Sequence, residues 1–113
     1  MAAIPLLADV IDRITLPNPA GTVQEVALNK NVRFVEVLGY DAAGTGRDVC
    51  YVQLTGTDGA VLSADYETIL ATELSPRRFT FARRARRLDG FSIYIASATN
   101  SSIVEVRTSS REP

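Results

Sequence analysis

The stretch "FSIYIASATNSSIVEVRT", residues 91–108, decides how the rest of the chain is read. Phe91, Ile93 and Ile95 alternate with Ser92, Tyr94 and Ala96. After "TNSS", Val104 and Val106 alternate with Glu105 and Arg107. A period of two sends successive side chains to opposite faces of a strand, one toward a core and one toward water. An Asn-Ser joint tolerates the positive φ that a tight hairpin requires. The stretch predicts two strands joined by a turn.

The same period recurs upstream. "RFTFA" (78–82) points Phe79 and Phe81 one way, Arg78 and Thr80 the other. "VCYVQL" (49–54) sets Cys50, Val52 and Leu54 against Val49, Tyr51 and Gln53. "VRFVEVL" (32–38) is apolar on both faces apart from Arg33 and Glu36, as in a central strand. "TGTDGA" (55–60) and "LDG" (88–90) carry Asp-Gly turn signals. Short strands with turns every 8–12 residues predict an all-β fold, an antiparallel sandwich or small barrel, and the preferred reading is a small antiparallel β-sandwich of jelly-roll- or Ig-like type. Its expected core is Phe34, Val35, Val37, Cys50, Val52, Leu54, Phe79, Phe81, Phe91, Ile93, Ile95, Val104 and Val106. "ADYETILATEL" (64–74) fits either a strand followed by a loop or one short helix.

Residues 1–22 differ from the rest. They hold Pro5, Pro17, Pro19 and Gly21, and "LPNPAG" (16–21) stops any helix. Leu7, Val10, Ile11 and Ile14 recur at helical spacing, which allows a short amphipathic turn over 6–14. The segment is read as an extended N-terminal arm (1–22) ahead of a β-sandwich domain (23–110). Its apolar residues need burial on this domain or on a neighbour, and Ile4, Leu6, Leu7 and Ile11 are expected to contact a partner.

Composition narrows the function. The 113 residues are 46% hydrophobic and 22% charged, the size and balance of one globular domain. No apolar run approaches the ~20 residues that span a bilayer, and the N-terminus lacks a basic signal-peptide start. A single cysteine leaves no internal disulfide, and Cys50 among apolar neighbours reads as a buried small hydrophobe. The chain contains no histidine, which removes histidine acid–base chemistry, serine and cysteine triads and most zinc sites. Carboxylate-pair chemistry, or chemistry at the single lysine Lys30, remains formally open, but the chain is read as a non-enzyme and no cofactor is expected. Asp65 and Glu67 would share one face of a strand, but nothing around them suggests a catalytic pair. Asp41 and Asp48 flank "AAGTGR" without the ligand order of a calcium loop.

Charge is unevenly spread. Residues 1–73 carry a net −6 and residues 74–113 a net +5, which sum to the −1 of the chain. Arg77, Arg78, Arg83, Arg84, Arg86 and Arg87 lead the basic part. Arginine outnumbers lysine eleven to one, and its planar fork suits carboxylate pairing at protein interfaces. A protein partner is the preferred reading of the cluster. Phosphate contact and a solvated loop are the alternatives, and nucleic acid is disfavoured by the acidic whole. Tyr51 and Tyr94 leave outward faces and are the candidates for a sugar platform, although tryptophan is absent.

The C-terminal layout adds a resemblance. "VCYVQLTG", a Gly/Asp-rich turn, a polar loop, "DGFSIYIAS", an Asn/Ser turn and a final "IVEVRTSS" resemble the small β-sandwich virion proteins of tailed bacteriophages, the head decoration (cement) type. The likeness covers roughly residues 30–110. It implies a non-catalytic structural protein that staples capsid subunits. The partners would be the major capsid protein or other virion proteins, and the chain would be a homo-oligomer. Such a protein is made in the host cytoplasm and sits on the capsid surface, away from membranes. The arginine cluster is no general feature of that family. A tail, fibre or carbohydrate-binding β-sandwich module, or a small nucleic-acid binder, are the alternative functions.

Overall fold

The computed structural model describes residues 2–63, 65–80 and 91–111. The described residues form nine strands and no helix, so none is long and apolar enough to cross a membrane. The strands are β1 (Ile4–Leu6), β2 (Ile11–Thr15), β3 (Gln24–Leu28), β4 (Phe34–Tyr40), β5 (Cys50–Gln53), β6 (Glu67–Ile69), β7 (Arg77–Thr80), β8 (Phe91–Ser97) and β9 (Ile103–Ser109). They make a five-stranded sheet, β1-β3-β8-β5-β6, and a four-stranded sheet, β2-β9-β4-β7. All pairings are antiparallel except β1 with β3. The chain is a small β-sandwich.

The alternation that announces the strands also builds the core. From the five-stranded sheet, Val26, Leu28, Cys50, Val52, Ile69, Ile93 and Ile95 face inward. From the other sheet come Ile14, Val35, Val37, Val104 and Val106, and all of these side chains are buried. Each contributes about 1.5–3 kcal/mol by leaving water. Register fixes these faces: Val26 lies opposite Ile93, Val52 opposite Ile95, and Val37 opposite Val106. A one-residue slip in any pair would turn its apolar set outward.

Some expected core positions fall elsewhere. Leu54 lies one residue beyond β5 and is 58% exposed, because the ladder that would hold it inward ends at Gln53. Phe34 is on the outward face of β4, and Phe79 only partly enters the core from an edge strand. Phe81 lies outside the described residues. Of the 64–74 stretch, residues 65–74 form β6 and a turn.

The N-terminal segment is built into the sandwich rather than extended from it. β1 adds to the edge of the five-stranded sheet, and β2 pairs over its whole length with β9. Leu6, Ile14 and Leu16 are core residues. Between β1 and β2, Asp9 takes a positive φ of 62° and the chain turns there, so the helical spacing of Leu7, Val10, Ile11 and Ile14 has no helix behind it. The proline-rich stretch that follows is clasped to the β8–β9 turn. Ser101 N–H donates to Asn18 Oδ1 at 2.7 Å, Ala20 N–H donates to Asn100 Oδ1 at 2.8 Å, and Leu16 N–H donates to Ser102 O at 2.8 Å. Prolines cannot continue a ladder, but the side chains of a neighbouring turn can hold the carbonyls and amides around them.

One glycine is required by close approach. At Gly39 in β4 a Cβ would lie 2.4 Å from Asp48 O and 3.2 Å from Cys50 Sγ. There the chain crosses from the four-stranded sheet to the five-stranded one, with Asp48 N–H donating back to Gly39 O.

Candidate functional site at the edges of the sandwich

The two sheets leave two open sides, and each is bounded by a pair of consecutive edge strands. β1 and β2 flank one side, β6 and β7 the other. Edge strands carry unpaired backbone groups and incomplete burial, so interaction surfaces concentrate there.

On the β6–β7 side a cavity of about 470 Å³ opens between the sheets. Its apolar surface comes from Val52, Leu54 and Phe79, and its rim carries Asp65, Glu67, Arg77 and Arg78. The strand registers explain this meeting. Glu67 pairs with Val52 and Arg77 with Val37, so both charged side chains belong to the inward-facing sets of their edge strands. There they find each other: Arg77 Nη1 donates to Glu67 Oε2 at 3.1 Å, tying one sheet to the other. Among the described residues Asp65, at φ 69°, has no ion-pair partner.

Glu73 organises the connection from β6 to β7. Its Oε2 accepts from Leu70 N–H at 2.7 Å, its carboxylate accepts from the Arg77 guanidinium, and its carbonyl accepts from Arg47 Nη1 at 2.8 Å. The Leu70 amide above all holds its carboxyl below the usual glutamate range, opposed by burial and assisted by Arg77 and Arg47. Leu74 follows and is 99% exposed, and Leu70 is 50% exposed. The connection is thus fastened by its polar groups while its leucines face water.

On the opposite side, Leu7 and Ile11 are each 67% exposed. They flank Thr108, whose Oγ1 donates to Leu7 O at 2.7 Å and accepts from Val10 N–H at 3.1 Å. Of the residues expected to meet a partner, Leu7 and Ile11 are therefore on the surface. Ile4 is only partly buried, and Leu6 belongs to the core because β1 turns it inward beside Leu28.

The arginine cluster divides. Arg77 is engaged as described. Arg78 lies on the outward face of β7, donates to Glu36 Oε2 at 3.1 Å and stacks over Phe34 at 4.2 Å. Both meet carboxylates of their own chain, and the Arg78–Glu36 pairing joins residues 42 positions apart in sequence. Arg83, Arg84, Arg86 and Arg87 lie outside the described residues.

Further arginines knit the outer face of the four-stranded sheet. Arg13 Nε donates to Glu105 Oε1 at 3.3 Å, Arg13 Nη1 to Gly44 O at 2.7 Å, and Arg107 Nε to the other oxygen of Glu105 at 3.0 Å. Arg13 also lies 4.4 Å from the centre of the Tyr40 ring. On the other sheet, Tyr51 meets Tyr66 edge-to-face at 5.0 Å. Tyr94 packs against Gly56 so closely that a Cβ there would come within 3.1 Å of its ring. These outward tyrosines hold the 54–66 loop. Tyr66 falls just before β6.

Cys50 is buried at the β4–β5 crossing, and burial pushes its thiol up to about 12. It is a packing group in the core. Among the described residues no cluster of acidic and cysteine side chains is placed to hold a metal. No protein-family model matches this chain, and comparison with curated proteins and with solved structures yields no match either.

Proposed function

We propose that the chain is a non-catalytic virion structural protein of a tailed phage, a decoration protein that binds the capsid surface and staples neighbouring subunits. The observation that carries this reading is the pair of exposed aliphatic side chains, Leu7 and Ile11, on the fastened β1–β2 side of a rigid sandwich. Adjacent exposed apolar side chains that form one patch mark a surface that another protein can cover, where singly exposed ones do not. The likeness of the strand-and-turn layout to small β-sandwich virion proteins supplies the identity of the covering surface. The arginines of 83–87 add contacts to carboxylates on the shell.

The test is native mass measurement of the purified protein, alone and mixed with tailed-phage capsid shells. Binding at a fixed number of sites per shell is expected, and Ile11→Asp weakens it at least ~10-fold, as for an interface anchor. Changing Arg83, Arg84, Arg86 and Arg87 together to Glu should weaken it as well. Absence of binding, or binding indifferent to both variants, overturns the proposal. Loss of DNA or RNA binding alone in the arginine variant would assign the cluster to phosphate.

A further inference from the structure

The chain has four asparagines, Asn18, Asn29, Asn31 and Asn100. Asparagine is chemically labile, because the backbone nitrogen of the next residue can attack its side-chain carbonyl carbon. Asn18 is followed by Pro19, whose nitrogen has no hydrogen to lose. Asn29 and Asn31 are followed by Lys30 and Val32, whose larger side chains crowd that approach. Asn100 is exposed and is followed by the small Ser101, so its side chain is the one most open to attack.

The fold engages both reacting groups. The attacking nitrogen, Ser101 N, donates its hydrogen to Asn18 Oδ1 at 2.7 Å. The amide under attack is held as well, with Asn100 Oδ1 accepting from Ala20 N–H at 2.8 Å. Asn18 Nδ2 also donates to Ser101 Oγ at 3.1 Å. An amide oxygen is too weak a base to take the proton that Ser101 N must lose, so this donation stabilises the unreactive N–H form.

We infer that Asn100 is a deamidation site that the clasp to Asn18 and Ala20 keeps closed in the folded protein. When the clasp opens, hydroxide removes the Ser101 amide proton and the nitrogen forms a bond to Asn100 Cγ. The bond from Cγ to Nδ2 breaks, and that nitrogen leaves as ammonia with a proton taken from water. A cyclic succinimide remains. Water opens it at either carbonyl, giving aspartate or isoaspartate at position 100, with no oxidant or cofactor consumed. Aspartate keeps an oxygen that accepts from Ala20 N–H. Isoaspartate carries the main chain through Cβ, which lengthens the turn and displaces Ser101 N from Asn18. The modification therefore unfastens the proline-rich stretch from the β8–β9 turn. It needs no capsid and stands apart from the proposed function.

Peptide mass spectrometry on the full chain, incubated at mildly alkaline pH folded and in urea, follows conversion at each asparagine. In urea Asn100 should convert fastest. In the folded chain its conversion should be at least ~10-fold slower, since two hydrogen bonds must open first. Asn18→Ala should raise the folded rate at least ~5-fold, with the far-UV spectrum of the folded protein retained. Faster conversion at Asn29 or Asn31 in urea overturns the assignment. Equal rates at Asn100 with and without urea overturn the proposal, and so does a folded Asn18→Ala that converts no faster than the parent. Amide exchange on the unaltered chain is an independent check that does not depend on the variant folding. A Ser101 N–H that exchanges as fast as in urea would show that the clasp does not hold it.

Discussion

Arg77 and Glu73 are joined fork to fork: Nη2 donates to Oε1 at 3.1 Å and to Oε2 at 3.0 Å, and Nε donates to Oε1 at 3.3 Å. The same guanidinium reaches Glu67 in the other sheet. One side chain on an edge strand therefore fixes both the turn that precedes it and the spacing of the two sheets.

Removing that side chain should loosen the β6–β7 side. Arg77→Ala is expected to cost about 1 kcal/mol, because the pair is partly exposed and screened by solvent. Arg77→Lys should recover only part of this, since an ammonium cannot grip two oxygens in one plane. Urea unfolding gives the global values, and amide exchange at residues 67–77 shows whether the loss is local. Equal behaviour of Ala and Lys variants would contradict the fork geometry.

Acid should release the same connection. The Glu73 carboxyl is held below its ordinary range by the Leu70 amide and by Arg77. A depressed folded pKa contributes stability that is present above the unfolded value, near 4.3, and lost as pH falls through the folded one. Amide protection in 70–77 is expected to be constant at neutral pH and to drop below about pH 4. In Glu73→Gln that acid-dependent step should vanish.

The N-terminal segment should prove indispensable. Deleting residues 1–15 removes β1, β2 and the core side chains Leu6 and Ile14. Ile14→Ala alone is expected to cost about 2–5 kcal/mol. A deletion that leaves the far-UV spectrum and cooperative melting intact would show that the two edge strands add nothing.

Much of this segment was not legible in the sequence. β4, β5, β8 and β9 announce themselves because both sheets cover them and alternation persists for several residues. β1 and β2 are short, interrupted by Pro5 and by the turn at Asp9, and their apolar residues fall by chance at helical spacing. β2 has one neighbour, so Ile11 can face water while Ile14 faces the core. β3 was equally hidden, since Gln24 lies on its inward face. The cavity was legible only in parts. Val52 and Phe79 were expected inside, but their meeting with Glu67 and Arg77 depends on which strands end as edges. No local pattern encodes that.

Cys50 should be silent in the native state. With its thiol raised to about 12, it stays protonated and shielded at neutral pH. Thiol reagents at pH 8 should label it only after denaturant is added. Since the raised value belongs to the folded state, the thiol's contribution to stability is complete below pH ~9. It is lost as the pH rises toward the folded value. A Cys50→Ala variant should show less of that alkaline loss. Rapid labelling without denaturant would place the thiol at the surface.

Gly39 should tolerate no side chain. Gly39→Ala forces Asp48 O away from a 2.4 Å contact, and a cost of about 1–3 kcal/mol is expected from the shift of backbone at the sheet crossing. Thermal melting of the variant measures it, and a neutral result would mean that the crossing is pliable.

The parallel seating of β1 against β3 has a mechanical consequence. Ala2 lies beside Gln24 at one end of the sandwich, through the Gln24 amide, while Ser109 lies beside Phe34 at the other. Tension applied between Ala2 and Arg111 would run along β1 and β9 in opposite directions. β9 sits between β2 and β4 and β1 slides against β3, so the ladder bonds would be loaded together in shear rather than peeled singly. A strand arrangement that resists being drawn out lengthwise suits a small domain to bear strain between whatever holds its two ends.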